Sequence, residues 1–262
     1  MIGFLIKKNF FDLWDNLFRV ALINLGFIAS VAFPVFIPGL LVSVLPLSIA
    51  AMAAGILWCA VYLAAAAYSL GKVSDYSSFG FGDFFRGFKD AWPVGLVMGF
   101  FVFLIWLLCT MIIPFYLSIG SLIGLLLAAL IFWLTALGIV SFQFLFAIRT
   151  RLDSKLSKVI KKCFIFFFDN PGFCIFVFIY NLISLILSGF LAFLMPGPGG
   201  ALLFLDEAMR LRLLKYDWIE ENAAASEDAA KRKNIPWDAL LIDERERTGT
   251  RTFKSFIFPW KD

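Results

Sequence analysis

The sequence contains no histidine, and this absence excludes several classes of chemistry. A chain without histidine has no histidine-based catalytic triad and no histidine–metal cluster, and it lacks the commonest general base. The G-x-x-x-x-G-K-[ST] motif is also missing, so the chain does not bind ATP through a P-loop. The net charge of +4 is too small to indicate nucleic acid as a partner. We therefore expect no catalytic activity, no cofactor and no metal site.

Charged residues are scarce as well: they make up 16% of the chain, whereas 61% is hydrophobic and 33 residues are phenylalanine. Soluble domains are nearer to half apolar and a quarter charged. Lipid can solvate such apolar surface, which a soluble fold of this length could not bury. The four cysteines lie in or beside apolar runs without any C-x-x-C spacing, so we expect them to be packing residues. The composition predicts an all-α integral membrane protein.

Two long runs without a charged residue contain the first four predicted membrane crossings. One lies between Arg19 and Lys72, and the other extends from Ala91 to Ile148. Each is long enough for two helices of about 20 residues. Proline and glycine mark a turn near 38–47 in the first run and near 114–120 in the second. With a fifth apolar run, the predicted crossings are 18–38, 48–71, 93–113, 121–148 and 172–194.

Residues 201–216 are harder to assign, because Asp206 and Glu207 interrupt a short apolar run. Hydropathy alone indicates a half-span or an interfacial helix. Lys and Arg are frequent in the N-terminal segment and in the loops at 72–92 and 149–162, but absent from the turns between these regions. Because positive loops stay in the cytoplasm, we expect six helices as three hairpins with both termini cytoplasmic. The membrane domain is then 1–216, and 217–262 is a polar cytoplasmic tail.

A weak internal repeat precedes the first, third and fifth predicted crossings, in the form of an aromatic stretch that contains Asp. Aromatic side chains favour the headgroup boundary, Asp or Asn caps a helix, and Pro is tolerated in its first turn. We name these stretches the lead-in segments and expect them to lie at the membrane interface, with no ligand required. Their candidate residues are Trp14, Phe84, Phe85, Arg86, Lys89, Trp92, Asp169 and Asn170.

Asp206, Glu207 and Arg210 form a candidate polar cluster within the predicted membrane region. Arg210 lies four residues after Asp206 and three after Glu207, so it can pair with either carboxylate on one helical face. Ionisable groups at membrane depth are functional candidates by default. The alternative is a neutralised ion pair near the cytoplasmic third of a short helix. We expect Arg210 to be paired with one of the two carboxylates inside the helix bundle.

The predicted tail ends in an aromatic stretch after a polar, Ala-rich linker, which is unusual for a disordered terminus. Leaving several large aromatic side chains in water creates an aggregation hazard, so we expect this end to dock. The two alternatives are the membrane interface or the protein's own cytoplasmic loops, and a partner subunit. The candidate docking residues are Trp237, Phe253, Phe256, Phe258 and Trp260.

Three motifs resemble those of one protein family. The first is Asn16-Leu17-Phe18, with Pro34 late in the crossing that follows and an Ala-rich second crossing. The second is the stretch from Asp83 to Lys89, which is similar to an FF-x-GF-K loop. The third is a basic stretch, Leu156 to Lys162, followed by Asp169-Asn170-Pro171. Through these motifs the chain resembles, over residues 10–216, the YesL-like family of bacterial integral membrane proteins, whose function is unknown.

The resemblance implies a multi-pass protein of the bacterial cytoplasmic membrane. Members of that family are often encoded beside carbohydrate ABC-transporter permeases and binding proteins, which implies an accessory role in sugar uptake. Asp206 and Glu207 depart from the family pattern, because the last helix there is ordinarily apolar. The expected partners are the lipid bilayer and other membrane-complex subunits, with a permease and an ATPase as the candidates.

Three functional hypotheses follow. The first is an accessory or interaction subunit of a bacterial membrane transport complex, with a carbohydrate ABC importer as the candidate complex, and without catalytic activity of its own. The alternative is a stand-alone small transporter or channel that uses the Asp206, Glu207 and Arg210 cluster. A membrane enzyme is the third, and the missing catalytic residues argue against it.

Overall fold

The structure is a computed structural model that describes residues 1–152, 155–223, 235–249 and 251, and these residues form helices without any strand. The helices are α1 (Ile2–Asp15), α2 (Leu17–Leu40), α3 (Leu45–Ser74), α4 (Phe81–Leu107), α5 (Ile113–Ser118), α6 (Leu122–Phe142), α7 (Leu145–Arg151), α8 (Leu156–Asp169), α9 (Pro171–Ser188), α10 (Gly197–Ala223), α11 (Trp237–Leu240) and α12 (Ile242–Thr248). A π-helical turn joins α4 to α5, and a 3₁₀ turn follows α9.

Five helical stretches are long and apolar enough to cross a membrane, which confirms the prediction of an all-helical, multi-pass membrane protein. They are Leu17–Leu40, Leu45–Ser74, Phe81–Ser118, Leu122–Arg151 and Pro171–Leu191. Each overlaps one of the first five predicted crossings. The turns predicted near 38–47 and 114–120 are also found, since α2 ends at Leu40 and α5 at Ser118. Residues 201–216 belong to α10, which is not among the five stretches and runs on to Ala223.

The predicted start of the third crossing at residue 93 is wrong. Helix α4 begins at Phe81, where the Asp83 carboxylate accepts a hydrogen bond from the Gly80 N–H at 3.0 Å. This cap satisfies one of the N–H groups that a helix start leaves without a partner. The lead-in residues from Phe84 to Trp92 therefore form the first turns of α4 itself.

The other two lead-in segments are separate helices, α1 and α8, that end just before α2 and α9. Helix α8 shows how such a segment attaches to the bundle. Its residues Val159, Cys163 and Phe166 are buried, at the spacing of four and three that places side chains on one helical face. The face carrying Lys158 and Lys161 is exposed. Among the four cysteines, Cys163 and Cys174 are buried, Cys59 is half-buried and Cys109 is exposed.

Helices α3 and α4 pack through small residues. A Cβ atom added at Gly95 would lie 2.6 Å from the Cα of Val61, and one added at Gly87 would lie 2.8 Å from the carbonyl oxygen of Ala65. Side chains larger than hydrogen would force the two backbones apart. Such small residues are what allow membrane helices to approach closely, because lipid supplies no hydrophobic force between them.

Helix α10 packs against α1, α2, α3, α7 and α9, and most of its residues from 201 to 211 are buried. Asn24 of α2 fixes its first turn. The Asn24 side-chain amide donates to the carbonyl oxygens of Leu194 and Pro196, both at 2.9 Å, and its oxygen accepts from the Gly199 N–H at 2.7 Å. Protein rather than lipid surrounds the buried part of α10, which explains how this helix can carry charged residues.

Candidate functional site

Asp206 of α10 is held by Arg151 at the end of α7. The guanidinium of Arg151 donates from Nε to Asp206 Oδ2 at 3.0 Å, and Nη2 makes a second contact with the same oxygen. Thr150 donates to the other carboxylate oxygen at 3.3 Å. Arg151 also reaches Ser74 at 2.9 Å and Asp75 at 3.1 Å. One arginine therefore joins α7, α10 and the end of α3.

Glu207 is the most enclosed charged residue of α10, with a relative exposure of 0%. Lys8, Asp12 and Asn9 of α1 are its polar neighbours. Lys8 is also fully buried and donates to Asp12 at 2.6 Å. Within the described part of the chain, neither Glu207 oxygen has a donor at hydrogen-bonding geometry. Two carboxylates thus share the charge of a single ammonium, and Glu207 is left with spare acceptor capacity.

The prediction that Arg210 pairs with Asp206 or Glu207 is wrong. Arg210 donates to Glu244 of α12 and to Asp75 after α3. Asp206 and Glu207 are directed to partners on other helices, Arg151 and the α1 residues. Adjacent residues on a helix point about 100° apart, so two carboxylates in sequence face different neighbours. The spacing to Arg210 allowed an ion pair within the helix, but longer-range partners occupy both carboxylates.

Tyr76 lies between the Lys8 and Asp12 pair and the Arg210 and Glu244 pair. Its hydroxyl donates to Glu244 Oε2 at 2.8 Å and lies 3.1 Å from the Thr248 hydroxyl. Lys8 Nζ lies 3.7 Å from the ring centroid and the Arg210 guanidinium 5.6 Å from it, so cations face the ring. Tyr76 has a φ of 57°, a left-handed conformation that is strained for a residue other than glycine. The hydrogen bonds and the cations hold it in place.

The electrostatic environment keeps Lys8 and Glu244 charged. Burial alone would lower the pKa of the Lys8 ammonium, but the carboxylates of Glu207 and Asp12 raise it above its usual value. Burial alone would raise the pKa of Glu244, but hydrogen bonds from Arg210 and Tyr76 lower it below its usual value. Both groups are therefore ionised at neutral pH, as a network of ion pairs requires.

Two lead-in residues, Asp169 and Asn170, hold the later part of α10. Asn170 accepts from Lys215 at 3.2 Å and donates to the Tyr216 hydroxyl, which in turn contacts Asp169. Lys215 also lies 3.4 Å from Asp169. Burial raises the pKa of Asp169, but the Tyr216 hydrogen bond and Lys215 outweigh it and lower the pKa overall. Asn170 stands at the N-cap position of α9, but its side chain makes no capping hydrogen bond there, so the two residues act in helix packing.

The remaining lead-in residues divide between the surface and the interior. Trp14, Phe85 and Trp92 are exposed by half or more, as expected for side chains that face lipid. Arg86 is exposed and lies 3.7 Å from Asp83, and Lys89 is exposed as well. Phe84 differs, because its ring packs edge-on against Tyr62 at 5.2 Å.

The predicted docking residues are described only in part. Trp237 packs against the core, with its ring centroid 5.7 Å from the Arg212 guanidinium. Phe253, Phe256, Phe258 and Trp260 lie outside the described residues. The section from 235 to 251 contacts the N-terminal helix: Lys7 donates to the Gly249 carbonyl at 3.3 Å, and Arg251 pairs with Asp15 at 2.9 Å.

A polar pocket of about 390 Å³ opens beside Asp206, between α3, α7 and α10. Lys72, Asp75 and Arg151 line it together with Asp206. Lys72 lies 2.6 Å from Asp83, and the other three charges are paired with one another. No group of three or more metal-ligating side chains lies among residues 1–152, 155–223, 235–249 and 251. Chemically the cluster suits charge pairing between helices.

The sequence pattern indicated Asp206, Glu207 and Arg210 but not their partners. A signal for two of these was present in α1, where Lys8 and Asp12 interrupt an otherwise apolar face at i,i+4 spacing. Asp75, Arg151 and Glu244 stand in segments that are polar throughout, so nothing in their local pattern marks them. Comparisons with protein-family models, curated proteins and solved structures gave no match.

Proposed function

We propose that this protein is an accessory or interaction subunit of a bacterial membrane transport complex. The observation that carries the proposal is the outer part of the α4–α6 hairpin. Between Phe100 and Leu134, Gly124 and Ala128 are the sole buried residues, and α5 packs on its hairpin neighbours. We name residues 100–134 the hairpin arm. Most of its apolar side chains are exposed or half-buried, which offers area for packing against the helices of a second membrane protein.

The buried ionic network favours the same reading. The charges of Asp206 and Arg210 are paired within the bundle, whereas a transport path requires polar groups that a substrate can reach. The charges connect helices to one another, and the hairpin arm is a surface with few protein neighbours in the described chain. The resemblance to the YesL-like family remains a prediction. The candidate complex, a carbohydrate ABC importer with its permease and ATPase, is taken from that resemblance.

The topology we propose has six crossings with both termini in the cytoplasm of a bacterium. Residues 1–16 and 235–251 contact each other through Arg251 and Asp15 and through Lys7 and Gly249. Five crossings would leave these two segments on opposite sides of the membrane. Their contact supports an even number of crossings, and we propose α10 as the sixth. The Lys and Arg distribution favours the cytoplasmic side for this end of the molecule.

Photocrosslinking in native membranes tests the function. A benzoylphenylalanine at Trp133, which is 70% exposed on the hairpin arm, should crosslink to one protein identified by mass spectrometry as a permease. The same probe at Phe190, which is 86% exposed after α9, is the matched control and should crosslink to lipid. Equal crosslinking at both positions, or lipid adducts alone at Trp133, would refute an arm that docks.

The tail gives a second test of the same proposal. A chain truncated after Arg251 keeps the contact with Asp15 but lacks the aromatic end. If that end docks on a partner subunit, the truncated chain should fold normally and recover less of the partner on purification in mild detergent. Undiminished recovery would assign the tail end to the membrane interface or to the protein's own loops.

One observation favours the alternative of a small transporter or channel. Glu207 is fully buried and has two oxygens without a donor in the described chain, as a protonatable relay group would. Proteoliposomes loaded with a pH-sensitive dye test it directly. Proton leakage in the wild type that is lost in Glu207→Gln supports transport, and tight vesicles in both cases exclude this route.

A further inference from the structure

An apolar groove of about 420 Å³ opens on the surface of the bundle, away from the ionic network. Its buried floor consists of Ile23 and Tyr62, and its rim includes Leu22 and Phe85, which are 52% and 68% exposed. The Tyr62 hydroxyl donates to the Ile23 carbonyl at 2.9 Å, so this polar group is satisfied within the wall. Apart from Gly80 and Arg19, the remaining lining is aromatic, and the volume lies within the range of ligand pockets.

Arg19 supplies the charge of this groove. It is the last charged residue before the uncharged run that ends at Lys72, so it stands where α2 enters the membrane. Its Nη1 donates to the Asn16 side chain at 3.1 Å, and its guanidinium lies 5.9 Å from the Phe79 ring. Among the described residues no carboxylate pairs with it. An exposed cation therefore stands at the end of an apolar groove, at the depth of lipid headgroups.

We propose that this groove binds one anionic glycerophospholipid of the surrounding bilayer. The headgroup phosphate pairs with Arg19, whose planar fork of donors matches two phosphate oxygens. One acyl chain lies along the groove, against Ile23, Tyr62 and Phe84. The net negative charge of the headgroup neutralises the arginine, which has no carboxylate of its own. Basic pockets between membrane helices at the cytoplasmic side bind such headgroups.

A bound lipid at this position would join α2 to the start of α4. Leu22 and Arg19 lie on the first turns of α2, whereas Phe84 and Phe85 lie on the first turns of α4. The acyl chain fills the gap between these two helices near their cytoplasmic ends. The lipid would then be a structural ligand, and its binding does not depend on a protein partner at the hairpin arm.

Native mass spectrometry of delipidated protein tests the site. Phosphatidylglycerol titrated into the wild type should give one retained lipid per chain, with phosphatidylcholine retained more weakly. Arg19→Gln should weaken phosphatidylglycerol retention roughly ten-fold, because it removes charge-assisted hydrogen bonds. Leu22→Trp places a larger side chain on the half-exposed rim and should weaken the retention of both lipids.

Arg86→Gln is the matched control. Arg86 is 73% exposed on the first turns of α4 and lies near Asp83, so its loss removes one positive charge without touching the groove. This variant should retain phosphatidylglycerol as the wild type does. The proposal is overturned if Arg19→Gln and Arg86→Gln retain the lipid equally, or if Leu22→Trp retains it undiminished. Occupation of the groove by a second copy of the chain, seen as a lipid-free dimer, would also overturn it.

Discussion

Arg210 donates two hydrogen bonds to the same oxygen of Glu244, at 3.0 Å from Nε and 2.7 Å from Nη2. The pair connects α10 to α12, across a linker that lies outside the described residues. Tyr76 binds the other Glu244 oxygen, so the carboxylate is used on both sides. The C-terminal segment is therefore attached to the bundle by charge as well as by apolar contacts.

Arg210 and Arg212 should differ in their effects on stability. Arg210→Met leaves Glu244 buried with less compensation and should cost roughly 3–5 kcal/mol. Arg212 packs its guanidinium 4.0 Å from the Phe173 ring, and its Nε is buried without an acceptor in the described chain. Methionine can replace that contact. Thermal unfolding in detergent should show a much larger drop for Arg210→Met, and equal drops would contradict the assignment.

Glu244 should make stability depend on pH. Its pKa is lower in the folded state than its ordinary value of 4.5. A carboxylate of this kind stabilises the fold fully above its unfolded pKa, and the contribution is lost as pH falls through the folded pKa. The unfolding midpoint of Glu244→Gln should therefore lie below that of the wild type at pH 7, and the gap should close at pH values below 4.5.

The neighbouring Glu246 provides the control for this experiment. Glu246 is exposed on the same helix. The Glu246→Gln variant should therefore have the same unfolding midpoint as the wild type at each pH between 7 and 4. A pH-independent gap between wild type and Glu244→Gln would show that the carboxylate charge contributes nothing to the attachment of the C-terminal segment.

Lys8 should be among the most sensitive positions of the chain. Lys8→Met leaves Asp12 and Glu207 facing each other without a cation, which should cost roughly 3–5 kcal/mol. Adding Glu207→Gln removes one of the two carboxylates and should restore part of the loss. Lys7→Met is the control, since Lys7 makes one 3.3 Å contact with a carbonyl. Additive effects of the two changes, measured as unfolding midpoints, would argue against coupling.

The contact between α3 and α4 predicts a difference between two glycines of α4. Gly95→Ala places a methyl group 2.6 Å from the Val61 Cα and should destabilise the protein by about 1–3 kcal/mol. Gly82→Ala meets nothing within 4 Å, and alanine favours a helix, so stability should stay equal or rise. Thermal unfolding of both variants tests this difference. A Gly95→Ala variant as stable as the wild type would mean that α3 and α4 pack less closely than the structure shows.

The proposed topology can be tested with cysteine labelling, in a background where the four native cysteines are replaced. Ser118→Cys lies at the exposed end of α5 and should react with a membrane-impermeant maleimide in intact cells. Glu246→Cys is exposed on α12 and should react with the same maleimide only after the cells are lysed. Labelling of Glu246→Cys in intact cells would rule out six crossings with both termini cytoplasmic.

Apolar composition and the distribution of charge predicted the five membrane stretches correctly, because lipid-facing helices show their environment in their own residues. Helix α10 shows the limit of that approach. Its apolar surface faces other helices, so hydropathy alone gave a half-span for a helix of 27 residues. The Asp83 cap was visible in the sequence, yet the aromatic residues that follow were assigned to the interface rather than to the helix that it starts.

The partners within the ionic network could not be predicted from spacing. Local rules relate residues three or four positions apart, which suggested Arg210 for Asp206. The observed partner, Arg151, is 55 residues away, and Glu244 is 34 residues from Arg210. Which distant residue meets which carboxylate depends on how the helices are arranged, and a single sequence carries no signal for that arrangement.

The position of α10 has a consequence for how the protein is made. Synthesis proceeds from the N-terminus, so Lys8, Asn24 and Arg151 leave the ribosome well before α10. Until α10 arrives, Lys8 has Asp12 but not Glu207, and Arg151 has Asp75 but not Asp206. A chain that stops before residue 197 thus lacks two carboxylates of the ionic network and leaves a space among α1, α2, α3, α7 and α9 unfilled, so the earlier helices complete their packing only once α10 has been made.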